Sequence, residues 1–168
     1  MESDRAMGRS GTDNADYLET LLRYYEEEVM GAAYFDGLAR YFGGAAERAK
    51  LAQLAEVERR AAEVVRPLLE KHGLVPRDES VLKPLGEADV ERHRRYSWAE
   101  LMAYMATRYP AYLEEFEALE RMAPEDDLPA LKLLTYHEVV AIDFANKEIA
   151  GDPDSLASIR QYLDHCTV

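Results

Sequence analysis

Apolar residues recur three and four positions apart over four long stretches, the spacing that keeps one face of an α-helix toward a neighbour. Over residues 14–42 the stripe runs Leu18, Leu21, Tyr25, Glu28, Ala32, Phe35, Ala39 and Phe42, and Gly43-Gly44 end it. A second helix is predicted over 46–72, with Leu51, Leu54, Glu58, Ala61, Val65 and Leu68 in line. Pro67 should kink it or mark its looser last turn. Ser97-Trp98-Ala99-Glu100 is a capping box, in which hydroxyl and carboxylate each satisfy a free backbone N–H. It opens a third helix with Trp98, Leu101, Met105, Arg108, Tyr112, Glu115, Leu119 and Met122 on its stripe, and Pro110 predicts a kink within it. The acid-rich turn at Glu125-Asp126-Asp127 suits a helix N-terminus and leads into a fourth, reaching about Ala150, with Leu131, Leu134, Glu138, Ala141, Ala145 and Glu148 aligned.

Gly151-Asp152-Pro153 breaks the pattern, and 155–164 reads as a short amphipathic helix carrying Leu156, Ile159 and Leu163. No segment alternates with period two, so the fold is expected to be all-α. Short first and third links imply two antiparallel hairpins. The connector at 73–97 is rich in Pro, Gly and charge, with one short helix expected near Glu87–Arg95. It is long enough to cross a helix of ~37 Å, which makes a crossover bundle with parallel second and third helices reachable. The expected layout is a loose tail over 1–13 and a single domain over 14–165.

Composition narrows the function classes. The 168 residues carry 20 Lys+Arg against 33 Asp+Glu, a net charge of −13, which disfavours nucleic acid as a partner. No apolar run approaches the ~18 residues of a membrane span. The acidic N-terminal stretch lacks the apolar core of a signal peptide, and the one cysteine, Cys166, is expected in a frayed tail. A cytoplasmic location is the corresponding expectation.

Position gives four of the acids a different meaning. Glu28, Glu58, Glu115 and Glu138 stand one per helix on the apolar stripes, where leucine is expected. Counting from the turns puts each hairpin's pair at similar depth, so the four carboxylates should converge near mid-bundle. Convergent anions in an apolar core must be protonated, paired with cations or bound to metal. Carboxylates suit Fe, Mn or Mg, and four of them balance two divalent ions.

The order Glu28, Glu58, Glu115, Glu138, one per helix with a long second link, resembles the ferritin-like superfamily of rubrerythrin-type and di-iron carboxylate proteins. The segments EEVMGAAYFDGLARYF and LAEVERRAAEVVRPLLEKHGL read like that family's first and second helices. The resemblance covers about residues 14–150. It implies a ferritin-like four-helix bundle with a carboxylate-bridged pair of Fe or Mn ions on those four glutamates. It also implies an oxidoreductase acting with dioxygen or peroxide, with Tyr112 or Tyr25 near the metal as catalytic groups. The chain departs from the family where Glu-x-x-His is expected, because the histidine positions are Ala61 and Ala141. His137 adjoins Glu138 but is offset by ~100° around the helix. A metal-free bundle with a structural or partner-binding role is the alternative, its glutamates satisfied by Arg108 and by the tyrosines.

The other candidates read as structural. His72, His93 and His165 fall at a helix end, in the connector and in the tail, and are expected at the surface. Arg92-His93-Arg94-Arg95 is expected to be a solvated patch pairing with Glu87, Asp89 and Glu91. Glu26 and Glu27 should face solvent. Tyr24, Tyr34, Tyr41 and Tyr104 suit bundle packing or the surface of a homodimer. No nucleophile triad, phosphate loop or dinucleotide fingerprint is present.

Overall fold

The computed structural model describes the backbone over residues 4–166 and side chains from residue 14. The described residues form six α-helices and no strand: α1 (Asp4–Leu38), α2 (Ala45–Lys71), α3 (Glu79–Asp89), α4 (Trp98–Met122), α5 (Leu128–Ile149) and α6 (Ala157–His165). The side chains of the tail expected over 1–13 lie outside the described residues. None of the helices is long and apolar enough to cross a membrane.

The four long helices pack as a ring in which α1 touches α2 and α4, while α5 touches α2 and α4. The end contacts give the directions. At one end Trp98, opening α4, meets Phe42 from the α1–α2 link and Phe144 near the end of α5. At the other, Tyr17 of α1 and Lys71 of α2 reach Asp127 at the start of α5. Helices α2 and α4 therefore run parallel on one diagonal, and the connector between them spans the bundle. α6 closes over α2 and α5.

The connector is more ordered than its composition suggests. Its helix lies at Glu79–Asp89, earlier than the expected 87–95, because Asp78 caps it by accepting from the Ser80 N–H at 2.8 Å. Val90–Arg92 add only a 3-10 turn. α3 lies along α1 at backbone contact, and a Cβ on Gly86 would sit 2.1 Å from the Met30 carbonyl oxygen. Only glycine permits that approach. Glu26, expected at the surface, is instead buried and gripped by Arg77 through its backbone N–H, Nε and Nη2 at 2.7–2.9 Å, fastening the connector to α1.

Both ends are closed by buried acids with several donors. Asp127, fully buried, accepts from Tyr17 Oη (2.7 Å), Lys71 Nζ (2.5 Å) and His72 Nε2 (2.6 Å). Glu148 accepts from Trp98 Nε1 at 2.7 Å, and from Lys50 and Ser155. The capping box at Ser97 and Glu100 forms as expected. Cys166 is buried against Tyr162 in the core, not frayed, because α6 packs down to its last turn.

The apolar core comes in two blocks. One gathers Phe35, Leu54, Leu101 and Phe144 toward the Trp98 end, and the other Leu21, Val65, Phe116 and Leu134 toward the Asp127 end. The seam glutamates lie at the level between them. Asp127→Asn should destabilise the fold by about 2 kcal/mol, because it takes the charged acceptor from buried Tyr17 and from the better-solvated Lys71 and His72. Urea unfolding at pH 7 measures this, and a change within about 0.5 kcal/mol would count against the clamp.

Candidate functional site

Three of the four seam glutamates meet. Glu28 from α1, Glu58 from α2 and Glu138 from α5 are buried at 3%, 8% and 4% exposure, with His137 at 1% among them. Its Nε2 lies 3.0 Å from Glu28 Oε2, 3.5 Å from Glu138 Oε2 and 3.9 Å from Glu58 Oε2. The ~100° offset expected to turn His137 away therefore does not do so. The seam falls between the two adjacent positions, and both side chains lean into it from opposite sides. Single atoms of Glu28, Glu58 and His137 all lie within 4.8 Å of one another.

The second nitrogen of His137 fixes the chemistry of the first. Nδ1 is hydrogen-bonded to the Leu134 carbonyl, so it carries a proton and donates. In the neutral ring Nε2 is then a bare lone pair directed at carboxylate oxygens. Such an arrangement is favourable only with a proton or a cation at that point. A ligating histidine has the same pattern, its far N–H held by a backbone carbonyl. Beside it Glu28 Oε2 and Glu138 Oε1 are buried without a hydrogen bond.

Burial governs the acids here. Glu28 is pushed up to about 8 by desolvation first, with Glu138 adding repulsion against a relieving hydrogen bond from Glu58. Glu138 is likewise pushed up to about 8 by desolvation, offset in part by His137 and raised further by Glu58. Glu58 is raised by desolvation and then by Glu28. Asp127 shows the contrast: desolvation raises it, but its bonds to Lys71, Tyr17 and His72 outweigh that and leave it lowered. Glu26 and Glu148 are lowered in the same way by Arg77 and by Lys50 with its neighbours. The acids of the clamps have cationic partners, and the central three have one imidazole.

Gly31 makes room for the cluster. A Cβ there would stand 2.7 Å from Glu58 Oε2. Above it a cavity of about 170 Å³ opens between α1 and α4, its wall including Tyr24, Tyr34, Tyr109, Tyr112 and Phe116. Carboxylates and one imidazole are hard and borderline donors that suit a divalent Fe or Mn ion, and the cavity leaves space for further ligands.

The remaining candidates are placed differently. Glu115 is exposed at the cavity mouth, where Tyr24 donates to it at 3.4 Å, and Phe116 takes the seam position, its ring 5.2 Å from that of His137. The apolar line of α4 passes through Met105, Phe116 and Leu119, which leaves Arg108, Tyr112 and Glu115 beside it. Arg108 is therefore exposed, in a surface depression with Tyr96 and Tyr104, and does not neutralise the buried glutamates as the metal-free alternative required. Tyr112 lines the mouth at 42% exposure. Tyr25 is buried away from the cavity, its hydroxyl accepting from Arg66 Nη2 at 2.7 Å. Tyr24 faces the cavity instead, being about 40° from Glu28 around α1 where Tyr25 is about 60° away on the other side.

His93 is a further correction. It is buried at 7% rather than exposed, hydrogen-bonded to Tyr34, while its neighbours Arg92 and Arg94 pair at the surface with Asp89 and Glu91. His72 is drawn in by Asp127. Searches of protein-family models, curated proteins and solved structures find no match to the chain.

The raised acids set a pH dependence for metal-free protein. Below about pH 4.5 these carboxyls are protonated folded and unfolded, and their burial costs least. Between there and about 8 the unfolded chain ionises them while the fold holds Glu28 and Glu138 protonated, so stability falls as pH rises. Denaturant midpoints in chelator should therefore drop from pH 5 to pH 8, and Glu138→Gln should flatten that slope. A wild-type slope of the opposite sign would show that the three carboxyls are ionised and well compensated.

Proposed function

We propose that the chain is a ferritin-like metal protein that holds a divalent Fe or Mn ion on Glu28, Glu58 and His137, with Glu138 beside it. Its activity is that of an oxidoreductase acting with dioxygen or peroxide. The observation that carries this reading is His137 Nε2, its Nδ1 tied to the Leu134 carbonyl, converging with buried carboxyl oxygens on one side of an open cavity. Two carboxylates neutralise one divalent ion, so Glu138 keeps its proton or serves as an acid and base within the site. A second ion would need Glu115, whose place at the mouth favours one ion over the pair implied by the resemblance.

A bound Fe or Mn ion would supply electron exchange with dioxygen or peroxide. The chain supplies the surroundings. Glu28 and Glu58 neutralise charge, and the Leu134 carbonyl holds the imidazole in its ligating tautomer. Phe116 covers the ring from α4. Tyr24, Tyr109 and Tyr112 bound a cavity of about 170 Å³, the size for a small molecule. No side chain on the wall singles out an organic substrate.

Anaerobic titration with Fe(II) or Mn(II) should saturate near one ion per chain and raise the unfolding temperature, more at pH 8 than at pH 6, because the ligands must lose protons. Gly31→Ala is the sharper control. Its methyl group displaces the flexible end of Glu58, so the helix should fold while metal affinity drops by about tenfold or more. Wild-type protein that takes up neither ion, with no thermal shift, would sink the reading.

A further inference from the structure

Tyr34 and His93 form a polar pair beside the cavity that plays no part in holding the central carboxylates. The phenol oxygen is 2.8 Å from His93 Nδ1. Tyr34 is half-buried on the wall of the cavity that contains Glu28, Glu58 and His137. His93 is buried, with the Tyr96 and Tyr104 rings at centroid distances of 4.9 and 4.2 Å. Those rings screen the imidazole from bulk water.

The other bonded tyrosines meet different partners. Tyr24 donates over a longer 3.4 Å to the exposed Glu115 carboxylate. Tyr17 donates to Asp127, already held ionised by Lys71 and His72. Tyr25 accepts from a guanidinium, and Tyr162 donates to a backbone carbonyl. Among the described residues Tyr34 is the tyrosine whose hydroxyl is hydrogen-bonded to an imidazole, which stays a far stronger base than an oxidised phenol although burial and then Arg92 hold it below its usual range.

That difference matters for one-electron chemistry. Removing an electron from a phenol makes its proton strongly acidic, so oxidation is easy only where a base is in place. We propose that Tyr34 and His93 are a redox-active pair, in which Tyr34 gives one electron to an oxidant in the cavity while its hydroxyl proton moves to His93 Nδ1. The balance is direct. The O–H bond of Tyr34 breaks, an N–H bond forms on His93, the neutral phenol becomes a neutral phenoxyl radical and the imidazole becomes imidazolium. The electron reduces the oxidant by one unit. In the cell that oxidant is the metal centre proposed above, oxidised by dioxygen or peroxide, and in this respect the assignment rests on that proposal.

The test separates the two claims. Full-length protein without metal is oxidised by a photogenerated ruthenium(III) polypyridyl complex, a one-electron oxidant, and the radical is followed by electron paramagnetic resonance. The fastest-forming tyrosyl radical should vanish in Tyr34→Phe and persist in Tyr41→Phe, which alters a tyrosine 54% exposed elsewhere. His93→Gln keeps a hydrogen-bond acceptor but removes the base, and should slow radical formation by about tenfold or more and alter its solvent isotope effect. Fluorotyrosine in place of Tyr34 covers the case in which Tyr34→Phe misfolds, because fluorine hyperfine splitting marks the radical while the hydroxyl stays. A fast radical that shows no fluorine splitting, or a rate unchanged in His93→Gln, overturns the pair. A second arm adds Fe(II) and peroxide without light. A radical at Tyr34 under light but not there leaves the pair standing and overturns the metal centre as its oxidant.

Discussion

Three carboxyl groups share the middle of a helical bundle with a single imidazole, and the surrounding structure is arranged around that imbalance. Each would cost several kcal/mol to desolvate as an anion, and their mutual repulsion adds to it. The fold keeps them there by protonation, with Glu28 and Glu138 pushed up to about 8 by burial, and by the approach of His137. The layer divides the apolar core into two blocks. Stability must then come from those blocks and from the clamps at the ends, where Asp127 and Glu148 have the cationic partners that the centre lacks.

The contrast among buried acids carries the functional argument. Glu26, Asp127 and Glu148 each meet a lysine or arginine, are lowered as a result, and join elements distant in sequence. Glu28, Glu58 and Glu138 join α1, α2 and α5 equally well, yet they do so at a raised proton affinity, and Glu28 Oε2 and Glu138 Oε1 have no hydrogen bond. A bundle selected only for stability would gain by replacing them with apolar residues of similar volume. A bundle that takes up a divalent cation needs them as they are, because the ion supplies the missing positive charge. Gly31 points the same way, since it leaves the Glu58 carboxylate its place at some cost in helix propensity.

Helical periodicity was enough to read the four long helices, their two hairpins and the crossing connector, because those depend on spacing and on turn residues. The depth of Glu28, Glu58 and Glu138 was legible from counting residues back to each turn. The placement of Glu115 was not. On α4, apolar residues flank two adjacent lines, and the choice of Phe116 over Glu115 depends on how that helix rotates against α1 and α5. His137 was missed for a related reason: a seam can lie between two consecutive positions, and an offset of ~100° then places both side chains in it. The pairing of His93 with Tyr34, and of Asp127 with Tyr17, joins segments far apart in the chain and left no local pattern. The helix at Glu79–Asp89 was obscured by Pro84, which costs an internal hydrogen bond, while its cap at Asp78 was the signal available.

Anomalous diffraction from crystals grown in chelator and then soaked in Mn(II), recorded at the manganese edge, locates any ion held by the central cluster. One peak is expected between Glu28, Glu58 and His137 Nε2, with the carboxylates turned onto the ion and His137 Nδ1 still bound to the Leu134 carbonyl. No peak there at saturating Mn(II), with His137 Nε2 still 3.0 Å from Glu28 Oε2, would contradict it.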